Sequence, residues 1–273
     1  MPLTNHQRVI AKTISKNRTP ESHLAGGAAL RVLPSGFRYS EDLAYFHDSI
    51  SKTTSSYAAD AQSLRDAGYA VSPQLEKPGF VRALVSLRDE HTKVEWVHDS
   101  SWRFLPPLQT QDCGYLLHPI DVSINKVLAC AGRNEPRDLV DTLYIHREIL
   151  PLGAVCWAAV GKDPGFTPLS LLELLKRRGR FQQEEIDKLT LVKSLNIKEL
   201  KAQWLQALEE AEKFISARPL SEAGSLYYSP TKKRFIAPDI KQANVEVFHG
   251  KPGGSLPKTF RGDILAELLA ESC

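Results

Sequence analysis

The chain has 273 residues, 42% apolar and 25% charged, with a formal net charge of +3 at pH 7. It is long enough to bury a sizeable core in one large domain or two modest ones. It contains no apolar run of about 18 residues or more, which excludes a transmembrane helix, and residues 1–19 lack the apolar core of a secretory signal. Cys113, Cys130, Cys156 and Cys273 are scattered with no C-x-x-C pair, which argues against zinc and against a disulfide framework. A reducing cytoplasm is the expected compartment.

Helices and strands alternate in the first half. Leu24-Ala25-Gly26-Gly27-Ala28-Ala29-Leu30 reads as an apolar residue, a glycine turn and a short helix. A strand is expected over 39–46, carrying Glu41 and Asp42 on opposite faces. Tyr57, Ala58, Ala61, Leu64 and Ala67 recur at helical spacing, and Gly68 stops that helix. Tyr69-Ala70-Val71 starts a strand. Residues 80–87 form another, with Val81, Ala83, Val85 and Leu87 on one face. Residues 92–98 pair with it across Arg88-Asp89-Glu90-His91.

From Pro119 onward the pattern turns helical. Ile120, Ile124, Val127, Leu128 and Ala131 make one stripe, and Asn134 caps a helix with Pro136 in its first turn. Residues 151–168, with Gly153, Gly161, Pro164 and Gly165, read as a boundary. Helices follow near 169–178, 183–191 and 197–217, then a hairpin over 224–238, a glycine-rich loop over 250–254 and a last helix near 263–270. The expected division is 1–150 and 151–273.

Charge is uneven. Between residues 227 and 262 lie seven basic residues (Lys232, Lys233, Arg234, Lys241, Lys251, Lys258 and Arg261) against Asp239 and Glu246. Lys176, Arg177, Arg178 and Arg180 form a second cluster. Such clusters suit a nucleic-acid partner and equally suit a solvated surface.

Three constellations carry chemistry. Gly26-Gly27 is ordinarily a turn, and glycines there also let backbone N–H groups approach phosphate oxygens. Asp42 sits among Tyr39, Leu43, Tyr45 and Phe46, where a bare carboxylate is costly to bury; a metal ion or an edge facing water would remove that cost. Glu95 alternates with Val94 and Trp96 on the later strand, as a metal ligand with Asp99 at the strand's end as runner-up, or both as ordinary acids of a half-exposed strand. Lys126 precedes Asp138 and Asp141, an i, i+3 pair on one helical face. Here too the plain readings stand: Asp138 in a first turn favoured by the macrodipole, Asp141 in an i, i+4 pair with Arg137, and Lys126 in solvent. No histidine has metal-ligand spacing, and there is no Walker A loop or Gly-x-Ser-x-Gly elbow.

Together these segments resemble the AbiEii/AbiGii nucleotidyltransferase family, the toxin components of type IV toxin–antitoxin systems. The resemblance spans about residues 24–150. It rests on Leu24–Leu30 with Arg38-Tyr39-Ser40-Glu41-Asp42-Leu43, on Val94–Ser100 with Arg103-Phe104, and on Asn125–Ala129 with Arg137–Asp141. It implies a mixed α/β fold, with a polymerase-β-like nucleotidyltransferase core over 1–150 and a mainly helical C-terminal part. It implies a Mg²⁺-dependent enzyme that moves a nucleotide from an NTP to RNA, the 3′ end of tRNA in particular, with a cognate antitoxin as partner and no membrane. Carried over by position, Gly26, Gly27, Ser40, Lys126 and Arg133 bind the nucleotide. Asp42 and Glu95 hold metal. Asp42, Lys126, Asp138 and Asp141 are the catalytic set.

Two departures stand out. Ala28 follows the glycines where the family commonly has a hydroxyl, so one phosphate contact is lost. Ala44 stands where the family usually has its second aspartate. The alternative reading is therefore a catalytically degenerate nucleotide- or RNA-binding module.

Overall fold

The computed structural model describes residues 3–30, 38–239 and 242–260. Among these, the chain forms two compact units. One runs through His118 and takes in Lys251–Gly254; the other comprises Pro119–Gly250 and resumes at Ser255. The division expected at residue 150 rests on the prolines and glycines of 151–168; by compactness the units divide at His118–Pro119, and the motifs around Lys126 and Asp141 pack within the second unit.

The first unit opens with α1 (Asn5–Ile14). Thr4 and Gln7 exchange side-chain and backbone hydrogen bonds at its start, a capping box. Then follow β1 (Ser22–Ala25), α2 (Gly26–Leu30), β2 (Asp42–His47), α3 (Ile50–Asp66), β3 (Ala70–Lys77), β4 (Phe80–Leu87), β5 (Glu90–His98), β6 (Trp102–Arg103), β7 (Leu108–Thr110) and β8 (Gly114–Leu116). Seven of these strands form a mixed sheet in the order β3-β4-β5-β2-β1-β8-β7. The pairs β2–β5 and β1–β8 are parallel and the others antiparallel. Lys251–Pro252 pairs with β6.

The sheet buries one face beneath α3. Leu43, Tyr45 and His47 of β2, Thr92, Val94 and Trp96 of β5, and Val81, Ala83 and Val85 of β4 are all buried there. Leu87, expected with them, is exposed because it sits at the hairpin end opposite Glu90. The buried face of α3 is Thr53, Ser56, Asp60, Ala61 and Leu64, and Ala58 and Ala67 face solvent. The physical reason is Asp60. Its carboxylate pairs with Arg18, accepts from Trp96 Nε1 at 2.7 Å and from Asn17 Nδ2 at 2.9 Å, and turns the helix inward. The Arg18 guanidinium also lies 4.6 Å from the centre of the Tyr45 ring.

The second unit holds α4 (Pro119–Gly132), α5 (Pro136–Glu148), α6 (Leu152–Lys162), α7 (Pro168–Lys176), α8 (Gln183–Asp187) and α9 (Ile197–Ser216). A three-stranded sheet follows, with β9 (Ser225–Ser229) between β10 (Arg234–Ile236) and β11 (Glu246–His249). The β9–β10 hairpin falls where the sequence places it. Glu135, not Asn134, caps α5, with Pro136 in the first turn.

The boundary expected over 151–168 is instead α6, buried from Leu152 to Val160. Gly153 has a packing cause rather than a linker one. A Cβ on Gly153 would lie 2.9 Å from Ala211 Cα and 2.9 Å from Phe214 Cβ, so glycine lets α6 and α9 approach closely. The helix expected near 263–270 lies outside the described residues. No described helix is long and apolar enough to cross a membrane.

Candidate active site

The candidate site of the first unit grows from the junction of β1 and α2 with β2. Ala25, the last residue of β1, pairs with Ala44 of β2. Gly26 follows with φ +62°, a conformation that side chains with a Cβ rarely adopt. A Cβ there would lie 3.3 Å from the Cβ of Ala44. The glycine turn therefore abuts strand position 44.

Position 44 lies on the face of the sheet opposite α3. In the parallel pairing of β2 with β5, Asp42 is opposite Lys93 and Ala44 is opposite Glu95. Side chains alternate along a strand, so Asp42, Ala44, Lys93 and Glu95 share this face. Asp42 and Glu95, both of intermediate burial, are diagonal neighbours across Ala44. Ser40, just before the strand, is buried. Its hydroxyl donates to the Asp42 carbonyl at 2.9 Å, and its own carbonyl accepts from Gln7 Nε2 at 2.9 Å. That bonding fixes the entry of the chain into β2.

One residue of this face carries no motif. Arg82 of β4 is the antiparallel partner of Glu95. Its Nε and Nη2 both converge on Glu95 Oε1, at 2.7 and 2.6 Å. The guanidinium also lies 5.5 Å from the centre of the Phe80 ring. The sequence signal was the hairpin. A four-residue connection over 88–91 sets Glu95 opposite Leu84. The observed turn at Arg88-Asp89, with Arg88 at φ 55°, pairs Leu87 with Glu90 and brings Arg82 to Glu95.

His47, adjoining these residues in sequence, points into the other face. It is fully buried and its ring nitrogens have no hydrogen-bond partner among the described residues. Burial, helped by the charges of Arg18 and Lys52, pushes its pKa down to about 3. It is a neutral core ring and not a base for this site.

The second constellation belongs to the second unit. Lys126 of α4 is buried, not solvated, with its side chain 8% exposed. Its Nζ lies 2.7 Å from Asp141 Oδ2 and 3.8 Å from Asp138 Oδ1 on α5, and both aspartates are fully buried. Arg133 Nε donates to Asp138 Oδ2 at 2.6 Å and Nη2 to Oδ1 at 3.1 Å. Two carboxylates thus face two cations, which is what makes their burial affordable. The basic clusters are partly engaged. Lys176 pairs with Glu173 and Glu212, and Arg178 donates to the Ala131 carbonyl. Arg177, Arg180, Lys232, Lys233 and Arg234 are exposed.

In structure, the chain is similar to MenT4, a nucleotidyltransferase toxin from Mycobacterium tuberculosis. The TM-score is 0.56 with 15% identity, over 76% of this chain and 82% of that one. The chain has the polymerase-β-like nucleotidyltransferase fold. JHP933 from Helicobacter pylori also aligns, at a TM-score of 0.48 and 16% identity, over 77% of this chain and 91% of that one. No protein-family model and no curated protein matches the sequence.

The fold family implies divalent metal held by strand carboxylates, and the residues present do not fit a two-metal site. Ala44 offers no ligand, and Glu95 Oε1 receives both Arg82 donors. No group of three or more His, Cys, Asp or Glu among the described residues could hold a metal ion. What the face does offer is a glycine turn at the end of β1, with Asp42, Lys93, Arg82 and Glu95 on the neighbouring strands.

Proposed function

We propose that this chain is a nucleotidyltransferase of the toxin class. It takes its nucleotide from an NTP and passes it to RNA, with the 3′ end of tRNA as acceptor. The observation that carries the reading is the contact between the Gly26 turn and strand position 44, on the face that bears Asp42 and Glu95. Backbone N–H groups at such a turn approach a triphosphate without interference from a Cβ. Gly26 and Gly27 would hold the phosphates there, and Ser40 would keep the entry to β2 in register. Exposed Arg177, Arg180, Lys232 and Lys233 are the candidates for RNA phosphates. A cognate antitoxin is the proposed partner and the cytoplasm the proposed compartment.

A second reading is favoured by Ala44 and by the engagement of Glu95 with Arg82: a module that binds nucleotide without transferring it. One experiment separates the two. The chain is incubated with total tRNA and each labelled NTP in turn, with NTP binding measured in parallel. Label on tRNA supports the transferase. Binding without label supports the module, and neither binding nor label rejects both.

A further inference from the structure

We propose that Arg82 takes the place of a metal ion beside Glu95, so that the sheet face binds the triphosphate of an NTP without a divalent cation. The inference rests on the nucleotidyltransferase reading of the face and assigns a residue which the family motifs leave out.

Three features of Arg82 argue for it. First, it is the cross-strand partner of Glu95, so the β4–β5 register and not chance rotamer choice brings the charges together. Second, both Nε and Nη2 converge on one oxygen, Oε1. A carboxylate oxygen held by two charge-assisted bonds is a poor candidate to turn toward an incoming cation. Third, the guanidinium is half-buried over the Phe80 ring, and the Glu95 side chain is 17% exposed. The pair is therefore shielded from solvent more than a surface ion pair is.

The charge count follows the same logic. A face built for two divalent cations needs carboxylates in excess, because the metals and the triphosphate must neutralise one another. Here the replacement of one carboxylate by Ala44 and the presence of Arg82 both reduce negative charge. With Lys93 opposite Asp42, the described residues around Ala44 set two fixed cations, Arg82 and Lys93, beside two acids, Asp42 and Glu95. A triphosphate meets acids that are already balanced around Ala44, with backbone N–H groups at the glycine turn and a guanidinium as its attractors. A divalent cation meets a fixed positive charge where its ligand should be.

The test uses the full chain in four versions: the chain as it is, Ala44→Asp, Arg82→Gln, and both together. Mn²⁺ binding is read by electron paramagnetic resonance of the free ion, and binding of each NTP is read with EDTA and with Mg²⁺. The expected results are that the unaltered chain binds NTP with the same affinity in EDTA as in Mg²⁺, and that Ala44→Asp with Arg82→Gln binds Mn²⁺ about tenfold more tightly than Ala44→Asp alone. Equal Mn²⁺ affinity in those two versions overturns the role of Arg82, as does NTP binding by the unaltered chain that requires Mg²⁺. If no version binds any NTP, the nucleotidyltransferase reading fails instead, whatever Mn²⁺ does. Circular dichroism verifies folding. Should Arg82→Gln unfold the chain, Arg82→Lys replaces it in both versions: it keeps the charge but loses the two-donor fork, and a gain in Mn²⁺ affinity of at least about twofold over Ala44→Asp alone is then required.

Discussion

Gly26 and Ala44 touch: a Cβ built on the glycine would stand 3.3 Å from the Cβ of the alanine. Two motifs separated in sequence by the undescribed residues 31–37 are thus one local structure. The glycine is required twice, by its φ of +62° and by the strand beside it. Gly26→Ala should cost about 1–2 kcal/mol, the usual expense of a left-handed backbone for a residue with a Cβ. It should also weaken NTP binding, because the turn must open to relieve the contact. Urea titration and NTP titration of the same variant check both. Unchanged NTP affinity in a destabilised variant would leave Gly26 as a turn residue only.

The buried Arg18–Asp60 pair holds α3 to the sheet through Trp96 and Asn17. Removing one partner leaves an uncompensated buried charge, which costs about 3–5 kcal/mol. Asp60→Ala should therefore lower the urea midpoint strongly, and the loss of the Trp96 Nε1 bond should alter tryptophan fluorescence in the folded baseline. A small change in midpoint would show that Arg18 finds another partner.

The same core predicts acid sensitivity. Burial pushes His47 and His118 down to about 3 from the ordinary 6.5. In the folded chain both rings stay neutral, while in the unfolded chain they take up protons as pH falls below about 6.5. Stability is thus fully present above that pH and is lost as pH falls toward the folded value. The slope is about 1.4 kcal/mol per pH unit for each histidine once below the unfolded pKa. Urea midpoints between about pH 7 and pH 5 should fall, and His47→Phe should reduce the slope. A slope unchanged by that variant would remove His47 from the explanation.

Strand alternation was legible where one face is buried and the other half-open, as at Val94, Glu95 and Trp96, because period-two burial leaves a direct imprint on residue type. Gly153 was misread for an understandable reason. Glycine marks a loop or a close helix crossing, and only the position of Ala211 and Phe214 tells which. The plain reading of Lys126, beside its reading as a nucleotide ligand, puts it in solvent because it lies away from the apolar stripe of α4. Its burial depends on Asp138 and Asp141 arriving from the next helix, which spacing within α4 cannot reveal. Arg82 was missed because a turn two residues longer shifts its partner along the strand, and turn length is a local property with long consequences. The glycine turn and Asp42 are legible in the sequence; the contact of Gly26 with Ala44, two residues along the strand from Asp42, is not.

Lys126 offers a test of the second constellation. Lys126→Met leaves Asp138 with Arg133 but strips Asp141 of its 2.7 Å partner. The expected cost is about 3–5 kcal/mol, large enough to confuse an activity assay. Lys126→Arg keeps the charge and should keep the fold. If Lys126 acts on the nucleotide, this variant will show normal urea stability and reduced nucleotide transfer. Normal transfer together with normal stability would confine Lys126 to neutralising its aspartates.

Ala44→Asp tests the reading of the sheet face as a whole. Position 44 projects on the same side as Asp42 and lies opposite Glu95, so an aspartate there would complete a paired-carboxylate face. The new side chain shares the alanine's Cβ position, and Gly26 beside it has no Cβ to obstruct it. The side chain is therefore accepted without a clash at Gly26, but its charge, buried between Asp42 and Glu95, needs a bound cation to offset it. Labelled NTP incorporation into total tRNA with Mg²⁺ should rise by about tenfold or more, mainly in turnover and less in NTP affinity, since an interaction made chiefly in the transition state acts on turnover. Arg82 should still oppose part of that gain, so Ala44→Asp with Arg82→Gln should exceed Ala44→Asp alone. A chain that is already fully active, and whose activity an aspartate at 44 leaves unchanged, would overturn both the metal-ligand role of this position and the assignment of the face.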